Sequence, residues 1–360
     1  MHRKIKVGIT HGDINGIGYE ILLKLLEDGR LAELCTPIVY GSAKIAATYR
    51  KALQMQQVPM TQIESPEQAT GATNYIINVV GEDVRPEPGQ PSAEAGRAAF
   101  AALERAVADL KNGDIDVLVT CPINKSTIHS AEFTFPGHTE YLEAAAGEGK
   151  ALMILCDENM RVALLTTHTP IAQVAGTVTQ EAIVEKLQIF DRSLRRDFGI
   201  DAPRIAVLGL NPHAGDEGLL GSEEKDIIAP AIAKAREERI LAFGPYAADG
   251  FFGSGQFKKF DGILAMYHDQ GLAPFKALCM GSGINFTAGL PFVRTSPDHG
   301  TGFDIAGKGL AEPDSTRAAI YAAIDIWRCR HRFDEARRSP LRRQYYEKGA
   351  DNVVLDLTGE

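Results

Sequence analysis

Short β-branched runs alternate with alanine-rich stretches along almost the whole 360-residue chain. The apolar runs have the length of β-strands, and they lie at 4–10, 37–41, 115–121, 162–167, 205–210, 262–267 and 284–293. The candidate helices between them lie at 18–28, 92–111, 137–147, 180–197, 222–238 and 311–329. Strands that alternate with helices in this way predict an α/β fold with a largely parallel sheet.

A histidine follows three of these apolar runs: His168, His213 and His268. In open parallel sheets, ligands bind beyond the carboxyl ends of the strands. If the three strands share one sheet and one direction, their imidazoles project over the same edge and form a metal site with an open coordination position. One histidine after one strand is usually structural, so this inference depends on the repetition of the pattern.

An anion site is predicted where a helix begins in the sequence FPGHTEYL. His138, Thr139 and the free backbone N–H groups there suit a phosphate, because a helix N-terminus favours negative charge. The alternative is that Thr139 only caps the helix. Lys276, Asn285 and Arg294 could supply further charge and hydrogen bonds.

Composition narrows the class of protein. The net charge of −9 argues against non-specific nucleic-acid binding, which needs a basic face. The five cysteines are scattered without a CxxC pair, which suits free thiols in a reducing compartment. No apolar run approaches the ~20 residues of a membrane-spanning helix. We therefore expect a soluble cytoplasmic protein.

Three glycines crowd the sequence THGDINGIG at residues 10–18, between the first strand and the first helix. Their spacing is G-x-x-x-G-x-G, which is not the dinucleotide fingerprint, and the lysine of a P-loop is absent from this stretch. We expect this turn to close the first strand against its helix and to line a cleft.

Five ordered motifs resemble those of the 4-hydroxythreonine-4-phosphate dehydrogenase family: FPGHTEYL, LLTTHTP, GLNPHAGD, YHDQGLAPFK and GLPFVRTSPDHGTGFDIAGKG. The resemblance implies a two-domain fold similar to that of the isocitrate and isopropylmalate dehydrogenases, with a cleft between the domains. One departure lies in the first turn, where the family more often has GDPAGIGPE. This chain has Ile14, Asn15 and Tyr19 in place of small residues or proline.

The resemblance also implies a domain organisation. Residues 1–130 and 281–345 would build a discontinuous cofactor-binding domain, and residues 131–280 a metal-binding and dimerisation domain. A C-terminal tail would follow at 346–360. The family forms homodimers in which both subunits contribute to each active site.

Most of the candidate site residues follow from the same resemblance. The ligands of a zinc, magnesium or cobalt ion would be His168, His213 and His268. The substrate contacts would be His138, Thr139, Lys276, Asn285 and Arg294. NAD or NADP would lie against the glycine-rich loop 298–309, at His299, Gly300, Thr301 and Asp304. The candidate proton acceptors, which the sequence leaves open, are Asp249 and Asp269.

The implied reaction is the metal-dependent oxidation of 4-phosphooxy-L-threonine at C3 by NAD or NADP. Decarboxylation to 3-amino-2-oxopropyl phosphate follows, as a step of pyridoxal 5′-phosphate (vitamin B6) biosynthesis. Two alternatives stay open: a paralogue that oxidises erythronate or threonate 4-phosphate, and a zinc hydrolase of a phosphorylated metabolite. The loop 298–309 argues against the hydrolase, which has no need of a dinucleotide.

Overall fold

A twelve-stranded sheet forms the centre of the molecule. The computed structural model describes residues 3–55, 57–71, 73–130, 133–279 and 281–339. The strands are β1 (Ile5–Thr10), β2 (Cys35–Gly41), β3 (Thr61–Ile63), β4 (Tyr75–Asn78), β5 (Val117–Thr120), β6 (Leu152–Cys156), β7 (Arg161–Leu164), β8 (Arg204–Leu208), β9 (Leu241–Tyr246), β10 (Gly262–Ala265), β11 (Ile284–Ala288) and β12 (Val293–Pro297). They lie in the order β3-β4-β2-β1-β5-β12-β11-β6-β7-β10-β8-β9.

Helices connect the strands and pack against the sheet. They are α1 (Gly18–Glu27), α2 (Arg30–Leu34), α3 (Ala43–Ala52), α4 (Ala93–Asn112), α5 (Lys125–Ile128), α6 (His138–Ala146), α7 (Ile171–Thr177), α8 (Gln180–Arg196), α9 (Ala229–Glu237), α10 (Ala248–Gly253), α11 (His268–Leu278) and α12 (Asp314–Arg338). The predicted α/β fold is confirmed. Within the described residues, no helix is long and apolar enough to cross a bilayer.

The sheet is largely parallel, with an antiparallel segment at its centre. Strand β11 runs antiparallel to both neighbours, β12 and β6, and β6 is antiparallel to β7. The prediction of one strand at 284–293 was wrong, because β11 ends at Ala288 and β12 begins at Val293. Between them, Gly289 has a φ of +83°, which L-residues rarely adopt and which ends the extended run.

The three strands that precede the histidines are neighbours. Strand β10 pairs in parallel with β7 on one side and with β8 on the other. Their carboxyl ends therefore meet at the same edge of the sheet, as the repeated histidine pattern required. This confirms the premise of the predicted site, although the positions of the three side chains differ.

Two predicted helices have different bounds in the structure. The segment predicted at 222–238 starts with a single π-helical turn, Glu224–Ile228, which continues into α9. The helix predicted at 311–329 extends as α12 to Arg338, because the basic residues beyond 330 continue it as a mostly exposed helix. The tail at 346–360 lies outside the described residues. The predicted domain boundaries remain a prediction.

The opening turn packs against the 298–309 loop from the other end of the chain. The Ile17 N–H donates to the Thr301 carbonyl oxygen at 2.9 Å. A Cβ atom on Gly16 would lie 2.7 Å from that oxygen, and a Cβ atom on Gly18 would collide with the His11 carbonyl. These two glycines therefore permit close backbone packing.

The residues that depart from the family's usual first turn each have a structural role. Ile14 is buried in the core. The Asn15 side chain donates to the Gln90 carbonyl and accepts from the Glu87 N–H, both at 2.7 Å. Tyr19 stacks on the ring of His11, with centroids 5.3 Å apart. The altered turn is thus well packed.

His11 should make the fold sensitive to acid. Its ring is fully buried, and burial lowers its pKa to about 4. The unfolded chain binds a proton at this residue below about pH 6.5, whereas the folded chain does so only below about pH 4. The free energy of unfolding should therefore fall by about 3 kcal/mol between these pH values through this residue alone.

Urea unfolding at pH 7 and at about pH 4.5 checks this. His11→Phe keeps a ring against Tyr19. Between pH 7 and about pH 4.5, its free energy of unfolding should fall by about 2–3 kcal/mol less than that of the parent. The matched control is His331→Phe, which replaces an exposed ring that stacks on Trp327 and is measured at the same two pH values. If the free energy of unfolding fell equally with pH in the parent and in His11→Phe, His11 would not be the source of the acid sensitivity.

Candidate active site

A cavity of about 280 Å³ opens beside the carboxyl end of β5, the antiparallel strands β11 and β6, and the start of α11. The predicted residues that line it are His138, Thr139, His168, His268, Lys276, Asn285, Arg294, His299 and Gly300. The predicted residues outside its lining are His213, Asp249, Asp269, Thr301 and Asp304. The structure thus brings the predicted substrate residues together with two of the three predicted metal ligands.

Arg294 on β12 is a buried cation without a carboxylate partner. Its side chain is 2% exposed and donates to the hydroxyl oxygens of Thr120, at 2.5 and 3.1 Å, and Thr287, at 3.1 Å. Burial lowers its pKa to about 9, an effect that the charge of Glu140 opposes, so the guanidinium stays charged at neutral pH. Among the described residues no carboxylate hydrogen-bonds to it, so the site is suited to an anion from outside.

His138 is the first residue of α6; its ring is partly exposed, but its Nε2 atom is buried in the cavity wall that Arg294 also lines. Burial, and then the charges of Arg294 and Lys125, hold the pKa of His138 well below its usual value. The ring is therefore neutral at pH 7 and offers a hydrogen bond rather than a charge. The alternative that Thr139 caps the helix is wrong, since Gly137 occupies the N-cap position.

Four buried polar atoms around the cavity lack a hydrogen-bond partner among the described residues. They are His138 Nε2, Glu140 Oε2, Asn285 Oδ1 and His299 Nε2. A buried polar group without a partner costs roughly 1–3 kcal/mol. Such a cluster indicates that a polar ligand supplies the missing bonds.

The imidazoles of His168 and His268 face each other across the cavity, with ring centroids 6.5 Å apart. The Asp269 carboxylate lies 2.6 Å from Nδ1 of His268, which holds the proton there and leaves Nε2 free to bind an ion. Nδ1 of His168 lies 3.4 Å from Glu140. Hydrogen bonding to His168 is the main reason that the pKa of Glu140 is lowered.

Lys125 is within hydrogen-bond distance of the second nitrogen of His168. Its Nζ lies 3.1 Å from Nε2. An ammonium group has no acceptor, so Nε2 of His168 receives this hydrogen bond. A divalent ion would use the same lone pair.

The donor chemistry of the two histidines suits a divalent metal ion. Imidazole nitrogens bind zinc at about 2.0–2.1 Å, so two rings on one tetrahedral ion have centroids about 5 Å apart. The observed separation is 6.5 Å, so the two rings would have to move closer together to share one ion. Across the described part of the chain, however, no group of three or more His, Cys, Asp or Glu side chains is placed to hold a metal. A further ligand therefore has to come from outside this arrangement.

His213 lies on an exposed turn with unusual backbone geometry. Residues 213–217 all have positive φ, with values of 54°, 53°, 84°, 45° and 56°, and only Gly215 among them is a glycine. L-residues pay roughly 1–2 kcal/mol each for this conformation. Strain of this kind clusters at functional sites, because only a supporting structure maintains it.

Two side chains of the cavity, Lys125 and Glu140, were missed from the sequence. Lys125 follows the carboxyl end of β5, so the rule that singled out the histidines would have found it if applied to this strand. Glu140 stands in the FPGHTEYL motif, two residues after His138. Asp249 is exposed on α10, and its predicted role as a proton acceptor, like that of Asp269, remains a prediction.

The 298–309 loop starts at the wall of the cavity. His299 and Gly300 line the cavity, whereas Thr301 contacts the opening turn and Asp304 is exposed. Lys276 on α11 donates to the Asp298 carbonyl at 3.0 Å, which joins the loop to the helix that begins at His268. A ligand held by this loop would thus be next to one held in the cavity.

Fold and cavity together define a class: an α/β protein with a polar cavity that contains a buried arginine and two histidines, next to a glycine-rich loop. The family model described as "Pyridoxal phosphate biosynthetic protein PdxA" matches residues 33–323. The chain belongs to this family.

Similar proteins agree with this family. A protein of Bacteroides thetaiotaomicron named 4-hydroxythreonine-4-phosphate dehydrogenase is 58% identical, over 98% of this chain and 97% of its own length. The crystal structure of the enzyme of that name from Klebsiella pneumoniae has a TM-score of 0.78 and 38% identity, covering 90% of this chain and 98% of that one. A terephthalate 1,2-cis-dihydrodiol dehydrogenase from Burkholderia xenovorans has a TM-score of 0.60 and 26% identity, covering 90% and 98%.

Proposed function

We propose that the protein catalyses the oxidation of 4-phosphooxy-L-threonine at C3 by NAD or NADP, with a divalent metal ion. Decarboxylation of the β-keto acid then yields 3-amino-2-oxopropyl phosphate, for pyridoxal 5′-phosphate biosynthesis. The observation that carries the proposal is the buried cation Arg294 in the same cavity as two histidines 6.5 Å apart. The choice of substrate in this proposal follows the relatives that are named 4-hydroxythreonine-4-phosphate dehydrogenase.

The phosphate of the substrate binds to the cationic end of the cavity. Arg294 donates charge-assisted hydrogen bonds, and Lys276 adds a second positive charge. His138 donates a hydrogen bond as a neutral ring, because its pKa is low. Asn285 also lines the cavity, and its side-chain N–H groups can donate to the phosphate. This arrangement binds the end of the substrate that does not react and orients the remainder.

The chain prepares its histidines for the redox step. Bound to His168, His213 and His268, a zinc, magnesium or cobalt ion would supply the Lewis acidity for hydroxyl ionisation and for loss of CO2, and a nicotinamide would accept the hydride. The hydrogen bond between Asp269 and Nδ1 of His268 orients the ring, so that Nε2 is the nitrogen that such an ion would use. The hydrogen bond from Lys125 to Nε2 of His168 has to break before this nitrogen can bind a metal ion.

The third ligand comes from a second copy of the chain in this proposal, which makes the protein a homodimer. His213 is exposed and outside the cavity lining of its own chain. Large apolar side chains close to the histidines in sequence are also open to solvent: Leu219 is 79% exposed and Ile171 72% exposed. Exposed apolar groups of this size beside a candidate site suit burial against a partner.

An oxidation of erythronate or threonate 4-phosphate is the second candidate. The dihydrodiol dehydrogenase with a TM-score of 0.60 is named for a different hydroxylated substrate and has a similar fold. Glu140 favours the amino acid: its Oε2 is buried in the cavity without a partner, and a substrate ammonium group would neutralise it. The hydrolase alternative has no support from the dehydrogenase relatives.

Initial rates of nicotinamide reduction with both substrates test this choice. We expect kcat/KM for 4-phosphooxy-L-threonine to exceed that for erythronate 4-phosphate by at least about a hundredfold, because the latter has no ammonium group to donate a hydrogen bond to the buried Oε2 of Glu140. The assay is run with NAD and with NADP, each with zinc, magnesium or cobalt after chelator treatment. Equal rates would favour the second candidate, and phosphate release without nicotinamide reduction would contradict a dehydrogenase.

A further inference from the structure

The turn that carries His213 is organised around a buried carboxylate. Glu224 is 4% exposed and lies on the π-helical turn Glu224–Ile228, directly before α9. Its Oε1 accepts the backbone N–H groups of Leu210 at 2.7 Å and Asn211 at 2.6 Å. Its Oε2 accepts the side-chain amide of Asn211 at 3.0 Å. All three bonds go to the segment that leads into the positive-φ residues.

The same carboxylate contacts the centre of the turn. A Cβ atom on Gly215 would lie 2.6 Å from Oε2 of Glu224, so only glycine leaves room for the carboxylate here. Gly209, at the start of the segment, would place a Cβ atom 3.1 Å from Oε1. The carboxylate therefore fills the concave side of the turn and is in contact with it from 209 to 215.

Glu224 has no cationic partner among the residues that the structure describes. Burying a carboxylate that is balanced only by N–H groups costs desolvation free energy. We therefore expect such a group to be retained for another reason, and the specification of a local conformation is one. The conformation at this place is the positive-φ stretch 213–217, which L-residues do not adopt without support.

The turn is also joined to the element that carries His268. Gln270 on α11 donates to the Gly209 carbonyl at 2.6 Å and accepts the Met266 N–H at 2.7 Å. The segment held by Glu224 is thus anchored to the start of α11. Glu224 acts on the conformation of the turn, and Gln270 on its position relative to the sheet edge.

We infer that Glu224 is a positioning residue that holds the turn 209–218 in the conformation that presents His213 to a divalent metal ion. This inference rests on the proposed function for the role of His213. Glu224 itself touches neither substrate nor ion. It acts through the backbone of Leu210 and Asn211 and through its contact with Gly215.

The test compares Glu224→Ala, Glu224→Gln and the control Glu223→Ala in the full chain. Glu223 contacts the same Asn211 amide, at 2.7 Å, but accepts no backbone N–H of the turn. Amide hydrogen exchange of peptides covering 209–221 should accelerate at least about tenfold in Glu224→Ala and less in Glu224→Gln, which retains one acceptor. Peptides covering β6 and β7 should be unchanged.

Metal affinity is measured by Co²⁺ titration followed by visible absorption. Glu224→Ala should weaken Co²⁺ binding by about 10–100-fold, as loss of a ligand-orienting group does, with Glu224→Gln intermediate and Glu223→Ala within about threefold of the parent. Because Glu224→Ala could fail to fold, Glu224→Gln, which conserves volume, carries the same comparison.

His213→Ala, titrated in parallel, separates the two proposals. Weaker Co²⁺ binding in His213→Ala, with parent-like binding and exchange in both Glu224 variants, overturns the positioning role and leaves the proposed metal site intact. Parent-like binding in His213→Ala overturns the metal assignment and the positioning role with it.

Discussion

Replacing Arg294 with methionine is expected to lower kcat/KM for 4-phosphooxy-L-threonine by about a thousandfold. Two charge-assisted hydrogen bonds to the phosphate, at about 2 kcal/mol each, correspond to a factor of this size. The loss should appear mainly in KM, because the phosphate is remote from the reacting carbon and is bound equally in the ground state and the transition state. Steady-state kinetics over a wide range of substrate concentration measures it.

The same substitution should leave the fold as stable as before, or more stable. Arg294 is buried and bonds only to the hydroxyls of Thr120 and Thr287 in the described structure. Removal of a buried charge to which no carboxylate of the described residues hydrogen-bonds offsets the loss of these bonds. Thermal unfolding should show an unchanged Tm or a rise of a few degrees.

Arg161→Met is the matched control for Arg294→Met. The Arg161 guanidinium lies over the Phe198 ring, 4.8 Å from its centroid, and does not line the cavity. Its replacement should change kcat/KM by less than about threefold. If Arg294→Met kept kcat/KM within fivefold of the parent, the phosphate site would have to be elsewhere.

His213→Ala is expected to reduce metal-dependent turnover by at least about a hundredfold, because it removes one of three proposed ligands. An equal mixture of His213→Ala and Arg294→Met subunits, dissociated and reassociated, should regain about a quarter of the parent activity. Half of the dimers in such a mixture are mixed, and each mixed dimer contains one site with both residues intact.

This recovery distinguishes a shared site from a site within one chain. If His213 served its own subunit, every site in a mixed dimer would retain one defect and the mixture would stay inactive. Reassociation of each variant with itself is the control and should give no recovery. Light scattering of the parent protein establishes in parallel whether the chain is a dimer.

The sequence predicted those features that depend on local patterns. Strands β7, β8 and β10 were visible as apolar runs, and the histidines after them indicated the functional edge of the sheet. Ser92, directly before α4, is a local signal of the same kind, since its side chain caps the helix by accepting the Ala95 N–H. Such signals lie within a few residues of the structure that they specify.

The features that the sequence did not predict depend on distant contacts. Arg294 bonds to Thr120, which is 174 residues away in the chain, and the environment that makes it a buried cation exists only after both have met. The antiparallel β11 is determined by its pairing with β6 as well as by Gly289. The left-handed turn at His213 depends on Glu224, whose importance no short motif reveals.

The contact between the opening turn and the 298–309 loop has a consequence for the order of folding. Ile17 and Thr301 are 284 residues apart (301 minus 17), so their hydrogen bond closes almost the entire chain. Contacts of such high sequence separation form late, since the entropy of closing the intervening chain must be overcome first. A chain emerging from the ribosome acquires this loop conformation only after residue 301 is available. In the function proposed above this loop holds the nicotinamide cofactor, so affinity for that cofactor would report that the contact between Ile17 and Thr301 has formed.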